Sequence, residues 1–276
     1  MTAIYRFTSF QALVDAIQRS ALTFVAPQVW KDPYEGYIFA AMQTPEGLSK
    51  VRLSLLNLLK SREQAEVILF QLQALRAGYF CQAWTRAQEC ASLWKEYGDG
   101  CMSIRLEIDL EDVRKLNGVS TQDVQYVEEI TLDEEVRKLI PHIGGDLHVG
   151  GILATKRAEF AHEKEIRLTS FDMRNANRAT RTASSQKGMG IALALLHEKG
   201  EISQQAFETE KGYCEEPIGL LEPVLRVSFK DIPGFIKSVM LNPAAPNWFD
   251  ETLKQYCEAN ELRYIGKSTL YKLAIQ

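Results

Sequence analysis

The densest run of reactive side chains in the sequence is Glu163-Lys164-Glu165-Ile166-Arg167-Leu168. Read as a strand with a period of two, it sets Glu163, Glu165 and Arg167 on one face and Ile166 and Leu168 on the other. Such a face offers oxygen ligands for a divalent cation, or a carboxylate to meet positive charge on a substrate. A half-buried strand with a solvated charged face has the same pattern, so the run gains meaning only from what converges on it. Tyr5-Arg6 supplies a guanidinium suited to a bidentate phosphate grip. Trp30, Asp32, Tyr34 and Glu35 crowd one loop, and Trp84-Thr85 with Leu93, Trp94 and Tyr97 adds aromatic faces and a hydroxyl. Core packing is an equally natural use of the tryptophans.

Other chemistries lack support. His142, His148, His162 and His197 show no metal-ligand spacing, and no G-x-G-x-x-G, Walker A or G-x-S-x-G run occurs. Cys81, Cys90, Cys101, Cys214 and Cys257 form no C-x-x-C pair, and their odd number argues against a disulfide framework and for a reducing compartment.

These groups must be held by strands and helices of mixed order. Ala3–Phe7 reads as a strand, followed by a helix to Arg19 opened by a Thr8/Gln11 capping box. Leu22–Ala26 reads as a second strand, stopped by Pro27 and the turn-prone Lys31–Gly36 run. Apolar residues at three-to-four spacing predict two helices between Leu48 and Arg76. Strands are expected over Tyr79–Trp84, Cys101–Ile108, Val124–Glu128, Glu163–Thr169, Val224–Phe229, Ser238–Leu241 and Arg263–Ile265. Helices are expected over Cys90–Tyr97, Asp133–Ile140, Ile152–Ala161, Met189–Glu198 and Phe249–Asn260. The stretch from Arg174 to Lys187, with Arg178 and Arg181, reads as a basic loop. Strands and helices without regular alternation predict an α+β fold with a central mixed or split sheet flanked by helices: one globular domain, with a helical insertion at about 48–77.

The 276 residues suffice for a sizeable core, and 46% hydrophobic with 25% charged residues is ordinary for a globular chain. The formal net charge of -4 excludes a whole-chain basic field, leaving any nucleic-acid contact to a local patch such as Arg174, Arg178 and Arg181. With no signal pattern and no long apolar run, the expectation is a cytoplasmic protein without membrane contact.

The order of Tyr5-Arg6-Phe7, Asp32-Pro33-Tyr34-Glu35, Leu93-Trp94-Lys95-Glu96-Tyr97 and Glu163-Lys164-Glu165-Ile166-Arg167-Leu168 resembles the bacterial domain of unknown function 2971 family, over nearly the whole chain. It departs from that pattern in carrying Ala83-Trp84-Thr85 where a Cys-Phe-Ser strand end is expected, and Phe160 where a tryptophan is. More distantly, an arginine on an early strand, a hydroxyl ending a middle strand and a glutamate on a later one is similar to the Arg-Ser-Glu arrangement of ADP-ribosyltransferases. That resemblance implies an ADP-ribosyltransferase-like fold with NAD as cosubstrate. Glu165 would stabilise the oxocarbenium-like ribose and bind its 2'-hydroxyl, Arg6 would hold the pyrophosphate, Thr85 would orient Glu165 or the ribose, and Glu163 would serve the acceptor. Tyr5, Tyr34 and Tyr97 would line the cofactor, while Asp32, Glu35, Trp94, Arg167, Arg174, Arg178 and Arg181 would meet a nucleic-acid or protein acceptor. It further implies a toxin or anti-phage defence effector with a neutralising antitoxin or immunity partner.

Two other readings compete. In a metal-dependent nuclease Asp32, Glu35, Glu163 and Glu165 would share a divalent cation. In a non-catalytic binding or regulatory module the Trp30–Glu35 loop and the Trp94–Tyr97 region would grip a ligand, with the Glu-Lys-Glu strand structural.

Overall fold

The computed structural model describes residues 2–97, 100–140, 149–200, 202–206, 208, 222–228 and 231–271. His142, His148, Cys214 and Phe229 therefore lie outside the described residues. The chain folds as α+β around a mixed sheet flanked by helices.

Strand β1 (Ala3–Ser9) runs into α1 (Phe10–Arg19). The cap is Ser9, whose hydroxyl accepts the Ala12 N–H, rather than the expected Thr8, which is buried in the strand. Ser20 adopts a left-handed conformation that ends the helix and starts β2 (Ala21–Val25). After the Trp30–Gly36 loop come α2 (Tyr37–Ala41), α3 (Pro45–Leu59) and α4 (Arg62–Gly78). Thr44 and Ser61 cap the latter two through the Gly47 and Gln64 amides. The chain continues through β3 (Tyr79–Thr85), α5 (Ala91–Glu96), β4 (Ser103–Asp109), α6 (Leu110–Arg114), β5 (Val119–Asp123), β6 (Gln125–Val127) and α7 (Leu132–Leu139). Then follow α8 (Val149–Leu153), β7 (Thr155–Arg157), β8 (Glu165–Phe171), α9 (Met173–Glu198) and β9 (Val224–Ser228). Strand β10 (Ile236–Leu241), the helix Asn247–Ala259 and β11 (Tyr264–Lys267) complete the fold.

The large sheet is forked. Three branches meet at β3: β11-β10-β4-β1, with β10 and β11 parallel, β9-β2, and β5-β8. Strand β3 pairs with β8 along its whole length, yet meets β1 at one rung, Tyr5 opposite Thr85. It meets β2 at another, Val25 opposite Cys81. The stretch between those rungs is bridged by a side chain: Gln82 donates to the Thr23 carbonyl and accepts the Trp84 indole N–H at 2.7 Å. The sheet is thus split where β1 and β2 diverge.

Alternation along β3 explains how one strand serves both layers. Phe80 and Trp84 join the larger apolar core with Ile4, Phe24, Ile104 and Ile166. Cys81 points the other way, into a second core built by α2, α3, α4, α7 and α8 around Phe39, Val51, Leu55 and Leu72. Truncating a fully buried leucine such as Leu72 to alanine costs about 2–5 kcal/mol.

Two expectations are corrected. The helix expected over Ile152–Ala161 is instead the end of α8, strand β7 and a 3-10 turn over Ala158–Glu163, because β7 pairs in parallel with β6. The basic loop expected over Arg174–Lys187 is the first half of α9, docked through the small residues Ala176, Ala179 and Ala183. Asp172 caps this helix.

Candidate active site

A cavity of about 760 Å³ opens beside the split and extends into the gap between β1 and β3. Arg6 and Tyr5 of β1, Thr85 of β3 and Glu165 and Arg167 of β8 line it, together with Trp30, Asp32 and Glu35 of the loop, Tyr97, Glu163, Lys156 and Phe160. Its size is that of a small-molecule site.

Register fixes the centre. Tyr5 pairs with Thr85 and Thr85 with Glu165, so the three stand in one row across β1, β3 and β8. Arg6 is one residue out of this row, opposite Leu106, and reaches the cavity because the strands part beyond Tyr5. Ala83, facing the same side as Thr85, carries only a methyl and leaves the floor open.

Glu163 and Glu165 meet by a route other than strand alternation. Glu163 ends the 3-10 turn, and Lys164 takes a left-handed φ of 45°, which turns the chain into β8. Both carboxylates then reach one ammonium: Lys156 Nζ lies 2.6 Å from Glu163 Oε2 and 3.2 Å from Glu165 Oε2. It also lies 3.0 Å from Glu35 Oε1. Arg167 completes the lattice, 2.7 Å from Glu165 Oε1 and 2.6 Å from Glu35 Oε2, with its guanidinium over the Trp30 ring at 4.4 Å. Tyr97 donates to Glu163 at 2.7 Å, and the Glu165 amide donates to the Tyr126 hydroxyl. The Thr85 hydroxyl donates to the Glu163 carbonyl and accepts the Ala87 N–H, so it fixes the backbone that presents Glu163.

These surroundings drive the two carboxyls apart. Burial works against charge on Glu165, but Arg167 and Lys156 overcome it and hold the group below its ordinary range. For Glu163 burial prevails over its bonds from Lys156 and Tyr97, and its carboxyl is raised. A pair separated in this way supplies one permanent anion and one group able to exchange a proton. The Cys81 thiol beneath the floor is pushed up to about 12 by desolvation, which leaves it protonated and without nucleophilic character. Burial also lowers Arg6, to about 10, leaving it charged at neutral pH. Among the described residues no carboxylate or hydrogen-bond acceptor pairs with Arg6, so this half-buried cation faces the cavity with its donors open to an anion.

Several expected residues lie elsewhere. Trp94 packs edge-on against Phe7 at 4.7 Å, in a small core with Leu93 that borders the cavity without Trp94 itself lining it, and its indole donates to Glu89. Tyr34 stacks near Tyr37 and against Arg157 rather than lining the cavity. Arg174, Arg178 and Arg181 stand on the exposed face of α9, where Arg174 meets Asp172 and Arg178 meets Glu222. Asp32 is engaged by Arg157 at 3.1 Å. Each of the four carboxylates that a nuclease would use is thus already paired with a lysine or arginine. Among the described residues a different trio, Glu96, His162 and Glu163, brings its ligand atoms within 4.8 Å, and the first two are exposed.

The residue that sequence reasoning missed is Lys156, a single lysine on a three-residue strand inside a helix-like pattern. Among the described residues no helix is long and apolar enough to cross a membrane. Comparison with protein-family models, curated proteins and solved structures finds no match.

Proposed function

We propose that the chain is an NAD-dependent ADP-ribosyltransferase of the Arg–hydroxyl–Glu type, acting in the cavity at the split of its sheet. The observation that carries the reading is the convergence of Arg6, Thr85 and Glu165 on one cavity, with Tyr5, Thr85 and Glu165 in register and Glu165 held as an anion. A forked sheet with its cleft at the fork supports the ADP-ribosyltransferase-like architecture implied by the sequence resemblance.

Each side chain then has a task. Arg6, a cation without a carboxylate among the described residues, takes the pyrophosphate. Tyr97, bonded to Glu163, and Tyr5, with the Arg105 guanidinium over its ring, add aromatic lining to the cavity. As the bond between ribose C1' and the nicotinamide nitrogen breaks and nicotinamide departs neutral, Glu165 stabilises the positive charge left on the ribose. The acceptor nucleophile bonds to C1' and gives its proton to Glu163, whose raised affinity for protons suits a base. A toxin or defence role with a neutralising partner belongs to the same proposal and rests on the resemblance alone.

A second reading has its own observation. Both Glu165 oxygens are already bonded, Oε1 to Arg167 and Oε2 to Lys156, as in a keystone of a binding pocket. Incubating the protein with labelled NAD and a lysate split into protein and nucleic-acid fractions separates the two. The transferase requires label in one fraction, lost in a folded Glu165→Gln variant. NAD binding without transfer, unchanged by that variant, would establish the binding module instead.

A further inference from the structure

The cavity holds one buried cation that no sequence motif announced. Lys156 has 3% of its side chain exposed and bonds to carboxylates from three separate elements: Glu35 of the loop, Glu163 of the 3-10 turn and Glu165 of β8. Three carboxylates against Lys156 and Arg167 leave the lattice one negative charge in excess when all are ionised. Without Lys156 they would face a single guanidinium in a desolvated site, and like charges there do not coexist. Parallel pairing of Lys156 with Tyr126 fixes the stem of the lysine, and the Phe160 ring lies 4.7 Å from its ammonium.

We propose that Lys156 is the positioning residue of this site: one ammonium that holds Glu163 and Glu165 side by side, ties the Trp30–Gly36 loop to them through Glu35, and sets the protonation of Glu163. Its catalytic significance rests on the transferase reading, whereas the coupling of Lys156 to Glu163 does not. Glu163 is faced by Tyr97 beyond α5, by Tyr126 of β6, by Glu165 of β8 and by Lys156 of β7, with Glu96 and His162 at the rim. Arg167 bonds Glu165 and Glu35, not Glu163. Among the described residues Lys156 is therefore the cation in direct contact with Glu163, and its loss falls mainly on that carboxyl.

The test is a titration of the protein without NAD, following Glu163 by carboxyl carbon NMR and Lys156 by side-chain nitrogen NMR. In the wild type the Lys156 signal moves through the same midpoint as the Glu163 carboxyl. Lys156→Met raises the Glu163 midpoint by about one to three pH units, the effect of removing an opposite charge at contact distance. Lys156→Arg returns it toward the wild-type position. A Lys156 signal that stays flat while Glu163 titrates overturns the assignment, as does an unmoved midpoint in folded Lys156→Met. If that variant does not fold, the wild-type coupling decides alone. Should the coupling hold while labelled NAD transfers to nothing, the transferase reading fails and the position of Lys156 stands.

Discussion

Thr85 stands opposite Glu165 in the β3–β8 ladder, yet its hydroxyl donates to the backbone carbonyl of Glu163. The hydroxyl expected to orient one carboxylate holds the chain that carries the other. Thr85→Val removes that bond and leaves the Ala87 amide without its acceptor, a loss of about 1–3 kcal/mol for a buried site. Urea unfolding measures the loss, and Thr85→Ser restores most of it. An unchanged midpoint for Thr85→Val contradicts the account.

Arg6 gives the opposite pattern. It is desolvated and, among the described residues, has no counter-ion, so Arg6→Met leaves stability unchanged or raised. NAD binding falls roughly ten- to a hundredfold, the share of a charge-assisted contact of about 1.5–3 kcal/mol. Calorimetric titration reads both affinities, and equal affinity removes Arg6 from the site.

The two glutamates give pH dependences of opposite sign. Glu165 is held below the ordinary glutamate value of 4.5, so the stability it adds is present above that pH and disappears as pH falls through its folded value. Glu163 is raised, so its contribution is fully present below 4.5 and disappears as pH rises through its folded value. The stability advantage of wild type over Glu165→Gln therefore grows from about pH 3 to pH 7, while its advantage over Glu163→Gln shrinks. Parallel unfolding series at those pH values check both signs, and trends of the same sign refute the separation.

Glu35 pins the loop to the lattice through Lys156 and Arg167. In Glu35→Gln the two cations still have Glu163 and Glu165, so global stability falls less than the 3–5 kcal/mol that breaking a buried pair costs in Glu165→Gln. Amide exchange in Trp30–Gly36 speeds up in Glu35→Gln, with β8 unaffected. Exchange that accelerates equally in β8 would mean that Glu35 supports the sheet rather than the loop.

What was legible in the sequence was local. Alternation marked β4 and β8, and three-to-four spacing marked α3 and α4, because each pattern lies within one element. The helix over Arg174–Lys187 was hidden by its basic and small residues. Its readable signal was Ala176, Ala179 and Ala183, a stripe of small side chains that lets α9 approach α4. Lys156 left no local signal, since its partners lie as far as Glu35 in sequence and are set by strand pairing. The period-of-two argument for Glu163 and Glu165 reached the right neighbours by the wrong geometry, because a turn at Lys164 separates them.

The fork in the sheet also governs how force passes through the molecule. A continuous sheet shares shear among all its rungs, whereas β1 and β2 are each fastened to β3 by a single pair. The β11-β10-β4-β1 branch therefore meets β3 through backbone pairing at the Tyr5–Thr85 rung alone, and the shared core of Ile4, Ile104, Phe80, Trp84 and Ile166 carries the rest of the load between them. A ligand spanning from Arg6 to Glu165 would cross that rung and add a further tie between the β1 and β8 branches.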